Sequence, residues 1–216
     1  MCEPMSGVLT PGHTVHWSEQ TDSHREIIAE FGLRETNVRG DINIVPFEVV
    51  PPYGDYSLPL SQWQYRVDFD GYQRNLPEWY DTEKAESAAR AALKAWAKSN
   101  LVRKSAKVGK IRSGEYKAVV LGTIKANYGR ILRNSGTVTW NYGTVTRNYG
   151  TVTYNDSGGT VTYNDGVVTR NSGTVTVYNT QAANGVMNTA SGVLIDRSGS
   201  VPVVTVGKTT KEQTNV

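Results

Sequence analysis

Eleven glycines between Gly122 and Gly199 repeat at a spacing of seven, interrupted twice, and the second residue after each is apolar. The most regular stretches read Asn-x-Gly-Thr-Val-Thr-x, as in Asn134 to Trp140, Asn141 to Arg147 and Asn148 to Tyr154. A seven-residue unit with one large apolar side chain cannot bury a face alone, so such units must stack. The alternation in Gly-Thr-Val-Thr turns valine inward and both threonines outward, which is strand geometry. The Asn-x pair then marks a corner, where asparagine tolerates a left-handed backbone and bonds local amides. Stacked asparagines are also expected to form a side-chain ladder. Two units make a flat coil of fourteen residues and three a triangular coil of twenty-one. With so little apolar bulk per unit, fourteen fills more easily. The expected architecture is an α+β N-terminal domain followed by a β-solenoid, or β-roll, of seven-residue half-coils. Its boundaries are 1–104 for a small capping domain, 105–207 for the solenoid and 208–216 for a polar tail, with insertions at 155–158 and 178–184.

The totals agree with that division. Apolar content is 38% and Gly numbers 21, deviations that a thin repeat produces. One cysteine, Cys2, excludes an intrachain disulfide framework. No signal-peptide pattern opens the chain and no apolar run is long enough for a membrane span, so no membrane partner is expected. Charge is zoned. Residues 1–100 hold 9 Lys/Arg against 15 Asp/Glu, residues 101–133 hold 9 against 1, and residues 134–216 hold 5 against 4.

The first hundred residues carry ordinary α+β signals. Ser23-x-x-Glu26 has the form of a capping box opening a short helix, with Gly32 as its stop. Ile42, Ile44, Phe47 and Val49 suggest strand character, with Pro46 favouring an edge or a break. Trp63, Tyr65, Val67 and Phe69 alternate with polar residues as a half-buried strand. Ala85, Ala88, Ala89, Ala92, Leu93 and Trp96 form one helical stripe.

Three surface features are candidates for function. Thr137 and Thr139, Thr144 and Thr146, and Thr151 and Thr153, with Trp140, Arg147 and Tyr154 beside them, form outward rows suited to a partner. A regular hydroxyl-and-methyl array also suits ice, but a two-sided coil splits the rows between its faces, and threonine is in any case a soluble strand former. Arg103, Lys104, Lys107, Lys110 and Arg112 begin a basic collar running to Arg133, a candidate site for phosphates of a nucleotide or nucleic acid. The plainer reading is a solvated collar that attracts the acidic N-terminal domain or blunts the first sheet edge. His13, His16 and His24 beside Asp22 match no standard metal spacing, so no metal and no cofactor are expected. No nucleophile elbow, phosphate loop or His-Glu-x-x-His motif is present, so catalytic residues are not expected either.

Thr21-Asp22-Ser23-His24, Ile27-Ile28, Phe31, Trp63-Gln64-Tyr65-Arg66-Val67-Asp68 and Leu76-Pro77-Glu78-Trp79-Tyr80-Asp81, ahead of an Ala-rich helix and Gly-Thr-Val repeats, resemble uncharacterised bacteriophage and prophage proteins. That resemblance implies a phage setting, in the cytoplasm of the host bacterium or in the virion, and brings no catalytic residues. The half-coils alone are similar in architecture to the ryegrass antifreeze β-roll, although here Asn precedes the valine by four positions rather than two. The expectation is a non-enzymatic binding or display protein. Its solenoid would contact copies of itself, a virion component or a host defence factor. The alternatives are anion sequestration at the collar and ice binding through the Thr-x-Thr rows.

Overall fold

The computed structural model describes residues 5–36, 38–68, 76–189 and 191–207, and the chain divides into two compact units, Met1–Leu101 and Val102–Val216. Phe69 and Asp70 of the expected strand, Cys2 and the polar tail 208–216 lie outside the described residues.

The first unit holds a four-stranded antiparallel sheet in the order β2-β1-β3-β4, formed by β1 (Ser6–Thr10), β2 (Thr14–His16), β3 (Val45–Val50) and β4 (Gln64–Val67). Helix α1 (His24–Glu30) starts where the Ser23 hydroxyl accepts from the Glu26 amide. It ends in a Schellman turn, the Leu33 amide donating to Ile28 and Gly32 to Ala29, with Gly32 at φ +61°. Ile27 on its inner side packs with Val8 and Ile44. Helix α2 (Thr82–Asn100) is capped by Asp81 and buries Ala85, Ala89, Leu93 and Trp96, the stripe that the spacing predicts. Trp96 meets Trp63 edge-on at 6.0 Å.

Pro46 corrects one expectation: it lies within β3, an inner strand, and not at an edge or a break. Opposite Val8 in β1, it turns its carbonyl the other way, to accept from the Asp68 amide at 3.0 Å, just past the end of β4. The N–H that proline lacks would face that same side, toward Asp68, so the pair keeps one of its two hydrogen bonds, and the loss falls at the very end of the β3–β4 ladder.

The second unit is a parallel β-solenoid of two facing sheets. One has six strands: β6 (Lys107–Ile111), β8 (Thr123–Asn127), β10 (Thr137–Asn141), β12 (Thr151–Asn155), β14 (Val167–Asn171) and β16 (Val186–Asn188). The other has eight: β5 (Leu101–Val102), β7 (Tyr116–Val120), β9 (Arg130–Asn134), β11 (Thr144–Asn148), β13 (Thr160–Asn164), β15 (Thr174–Val177), β17 (Val193–Asp196) and β18 (Val203–Val206). Val138 lies beside Val152 and Asn141 beside Asn155, a coil of fourteen residues; Val152 beside Val168 makes the next coil two longer. The extra residues of one insertion form the turn at Asp156–Gly158, and the other holds a short helix, α3 (Thr180–Asn184). One core runs through the unit, from Val102 and Ile111 through Ile124, Ile131 and Val138 to Val175 and Leu194.

The interior differs from the expectation of one inward residue per unit. Val138, Val145, Val152, Val161, Val168 and Val175 are buried, but so are Asn127, Asn134, Asn141, Asn148, Asn155, Asn164 and Asn171. Each half-coil therefore turns in a valine and, three residues later, an asparagine. The interval of three breaks strict alternation, so Thr139 and Trp140 both stay on the outside while the strand bends. Thr153 and Tyr154 do the same on the next coil of that sheet. At the far end the apolar position is displaced. Val186, not Met187, aligns with Val168, and Met187 is exposed. Gly199 opens no coil either: β18 reverses and pairs antiparallel with β17, leaving Val201 outside.

The glycines follow from stacking, not from left-handed corners, because no repeat Gly or Asn has a positive φ. A Cβ on Gly136 would stand 2.1 Å from the Gly122 carbonyl oxygen, and one on Gly150 would stand 2.1 Å from that of Gly136. Every coil thus lays its glycine on the backbone of the coil before.

Candidate binding surfaces

Each corner is organised around its buried asparagine. Along one edge Asn127 donates from Nδ2 to Oδ1 of Asn141 at 2.7 Å, Asn141 to Asn155 at 2.7 Å, Asn155 to Asn171 at 2.8 Å and Asn171 to Asn188 at 2.7 Å. Along the other, Asn134 donates to Asn148 and Asn148 to Asn164, both at 2.7 Å. The carboxamide oxygens of Asn127 and Asn134 accept the amide of the glycine two residues on, Gly129 at 3.1 Å and Gly136 at 3.2 Å, whereas Gly143 and Gly150 donate to the backbone carbonyls of Asn127 and Asn134 on the coil before. These ladders satisfy buried polar groups and fix the bend, so both residues that flank each Asn project outward.

The flanking positions carry the aromatic residues, and consecutive coils stack them. On one edge Tyr128 lies on Tyr142 at 4.7 Å, Tyr142 beside Trp140 at 6.3 Å and Trp140 on Tyr154 at 4.2 Å, all within 14° of parallel. Cations close both ends: Lys110 Nζ stands 4.4 Å from the Tyr128 ring and the Arg170 guanidinium 5.7 Å from Tyr154. The other edge runs from Arg133, 4.3 Å over Tyr149, through Tyr163 to Tyr178, which stack at 5.0 Å. Burial, and then the neighbouring Tyr128 and Asp156, push the Tyr142 phenol above its ordinary value. Tyr128 with Tyr142, Trp140 with Tyr154 and Tyr163 with Tyr178 each cover one face of the other ring. Tyr142, Tyr149 and Tyr178 escaped the sequence reading, although aromatic residues recurring beside the repeat Asn were the available signal.

The threonine rows divide between two faces, as a two-sided coil requires, because consecutive half-coils belong to opposite sheets. Thr137 and Thr139 lie on β10, and Thr151 and Thr153 lie beside them on β12. Thr144 and Thr146 lie on β11 in the other sheet, where Thr160, Thr162, Thr174 and Thr176 follow them. Thr153 therefore shares a surface with Thr139 and not with Thr146, its nearest counterpart in sequence. All six candidate threonines, Thr153 included, are half-buried and not fully exposed. Strands on the neighbouring coils, about 4.8 Å away, cover the flanks of each side chain, so a partner meets only its outer end. Trp140 and Tyr154 stand side by side in register at one corner. Arg147 is at the opposite corner, between Arg133 and Tyr163.

The collar does not converge on one point. Lys107 and Lys110 lie exposed on β6, with Lys125 exposed on the adjoining β8. Arg103 and Lys104 are in the turn before β6, and Arg112 is in the turn after it, at the other end of the strand. Arg112 is held by its own amide donating to Glu115 at 2.8 Å. The three histidines also separate. His13 Nε2 accepts from the Asp81 amide at 2.9 Å, His16 meets the Thr10 hydroxyl at 3.3 Å, and buried His24 lies between the Phe47 carbonyl and Asp68. Among the described residues no group of three or more His, Cys, Asp or Glu side chains is placed to hold a metal. No described helix is long and apolar enough to cross a membrane. No family model, no curated protein and no solved structure matches the chain.

Proposed function

We propose that this chain is a non-enzymatic binding or display protein whose solenoid makes the contact, with further copies of itself or with a protein partner. One observation carries the reading: Asn ladders and close glycine stacking hold two outward surfaces at a fixed coil repeat. Thr144, Thr146, Thr160 and Thr162 offer hydroxyls and methyls there without net charge, beside exposed aromatic edges such as Trp140 and Tyr149. Rigid side chains of this kind bind at low entropic cost. The resemblance to bacteriophage proteins suggests a virion component or a host defence factor as the partner, in the host cytoplasm or the particle. Sedimentation at micromolar protein tests self-contact, and titration against a purified candidate partner tests the other case. Introducing Thr146→Lys with Thr162→Lys should abolish association through that face and leave the melting temperature within a few degrees. Unchanged association in both assays rejects a role for the face.

A second reading rests on Lys107, Lys110 and Lys125, which emerge together from the outer side of β6 and β8. An anion polymer would bind there with an affinity that falls steeply with salt. A labelled single-stranded oligonucleotide is the probe. Charge reversal at Lys107, Lys110 and Arg112 should abolish its binding, and binding that ignores salt or those changes rejects the reading.

A further inference from the structure

The eight-stranded sheet ends on β18, and among the described residues that strand has β17 as its one neighbour. From Ser198 to Gly207 the chain carries no charge, and Val203, Val204 and Val206 are 60, 59 and 70% exposed. Natural edge strands are usually blunted by lysine, a bulge or proline within the strand. This one has none of these, and Pro202 stops short of it.

The register says which groups are free to pair. Val206 lies opposite Val193, Thr205 opposite Leu194 and Val204 opposite Ile195, and the Gly207 amide donates to Gly192 at 3.0 Å. In an antiparallel ladder, alternate residues direct both N–H and C=O to the same neighbour. Residues 203, 205 and 207 therefore face β17, and Val204 and Val206 direct their backbone groups outward.

We propose that a second copy of this chain pairs with β18 edge to edge, antiparallel, about a two-fold axis passing by Thr205. This rests on the reading of the solenoid as a contact element and names one partner and one place. The axis sets Val204 against Val206 of the second copy and Val206 against its Val204. Two hydrogen-bonded pairs result, with β-branched side chains facing each other across the seam. Charge favours this end over the other. The terminal strands β5 and β6 belong to the stretch with 9 Lys/Arg against a single acid, which repels its like, whereas uncharged β18 does not.

Sedimentation of the full chain at micromolar protein should give twice 23.7 kDa. Val204→Pro deletes an N–H that serves only the second copy, and its φ suits an extended edge. The variant should weaken the dimer at least about a hundredfold at an unchanged circular dichroism spectrum. Thr205→Cys combined with Cys2→Ser should form a disulfide-linked dimer on oxidation, because facing residues of a non-hydrogen-bonded pair have Cα atoms about 4.5 Å apart. A wild-type monomer overturns the pairing. So does an assembly that survives both Val204→Pro and Val206→Pro; if it instead dissociates on Thr146→Lys with Thr162→Lys, the broader binding role stands without the edge pairing. A dimer that appears only after residues 208–216 are removed identifies the chain's own tail as the occupant and equally overturns it.

Discussion

An interior amide such as that of Asn141 has no apolar substitute, because its neighbours depend on both of its ends. It accepts from Asn127 and donates to Asn155, both at 2.7 Å. Asn141→Ala leaves an unpaired donor on one coil and an unpaired acceptor on the next, which costs about 2–4 kcal/mol by the usual penalty for buried unsatisfied groups. Urea denaturation measures it, and a loss below that of Thr139→Ala on the outside would mean that the ladder contributes nothing. The glycines offer a sharper contrast. A methyl at Gly150 would meet the Gly136 carbonyl oxygen at 2.1 Å, whereas at Gly158 the nearest atom lies 3.6 Å away. Gly150→Ala should cost more than about 3 kcal/mol, since backbone must move, and Gly158→Ala should be neutral or slightly stabilising. In the first unit, burial and a hydrogen bond with the Tyr80 hydroxyl at 2.9 Å raise the Tyr65 phenol far above its ordinary value of 10. The unfolded chain ionises that phenol near pH 10 and the folded chain does not, so the unfolded state is favoured as pH rises further. Melting temperature should therefore fall above pH 10, and fall less steeply in Tyr65→Phe.

Elements that depend on local chemistry were legible, and those set by their neighbours were not. Asp156, Ser157 and Gly158 form a turn outside the stack, with Gly159 donating to the Asp156 carbonyl at 2.8 Å. Deleting Ser157 and Gly158 restores Asn155-Asp156-Gly159, the Asn-x-Gly corner of the regular coils. The deletion should leave stability within about 1 kcal/mol by thermal melting, because short loop changes carry little entropy. The Ser23 cap of α1, its Gly32 stop and the Ala stripe of α2 appeared in the sequence because each depends on nearby chain, although only half of the expected capping box forms, the Ser23 amide donating to Thr21 and not to Glu26. Valine at every seventh position likewise announced the stack. The asparagine ladder followed from stacking, but its inward placement was less visible, since hydrophobic periodicity registers apolar residues and passes over a buried amide. Pro46 misled for another reason: whether proline fits an inner strand depends on where β4 stops. Met187 and Val201 kept the glycine spacing, yet α3 shifts the register before the first and β18 reverses direction before the second. Of the candidate surfaces, the outward direction of the threonines followed from alternation. Their division between two faces followed from the two-sided coil, which sets Thr153 beside Thr139 and apart from Thr146. The stacked rings were not read, because both residues flanking each Asn must turn outward before Tyr142 can meet Trp140.

A solenoid of this kind is nearly one-dimensional, each coil touching only the coils beside it, so its stability should grow with every identical coil added. Residues 137–150 form one complete coil, Thr137 to Asn141, the corner at Tyr142–Gly143, Thr144 to Asn148 and the corner at Tyr149–Gly150. A tandem copy of these fourteen residues begins with Thr-Val-Thr-Trp-Asn and ends with Gly, so both junctions reproduce contacts already present. Val138 of the copy would lie on its parent Val138, Asn141 on Asn141 and Gly143 on Gly143, and the aromatic edge would gain one more Trp140–Tyr142 step. The unit should lengthen by about 4.8 Å, the spacing between paired strands. The denaturant slope should rise with the added buried surface, and the midpoint should rise or hold. A coil of twenty-one residues, or a stack held mainly by one specialised end, predicts the reverse: fourteen extra residues would then force a misaligned turn and lower the midpoint. Scattering length and urea midpoint, measured on the same duplicated protein, separate the two cases. Stability that rises coil by coil would make the length of this surface adjustable without altering what either face presents.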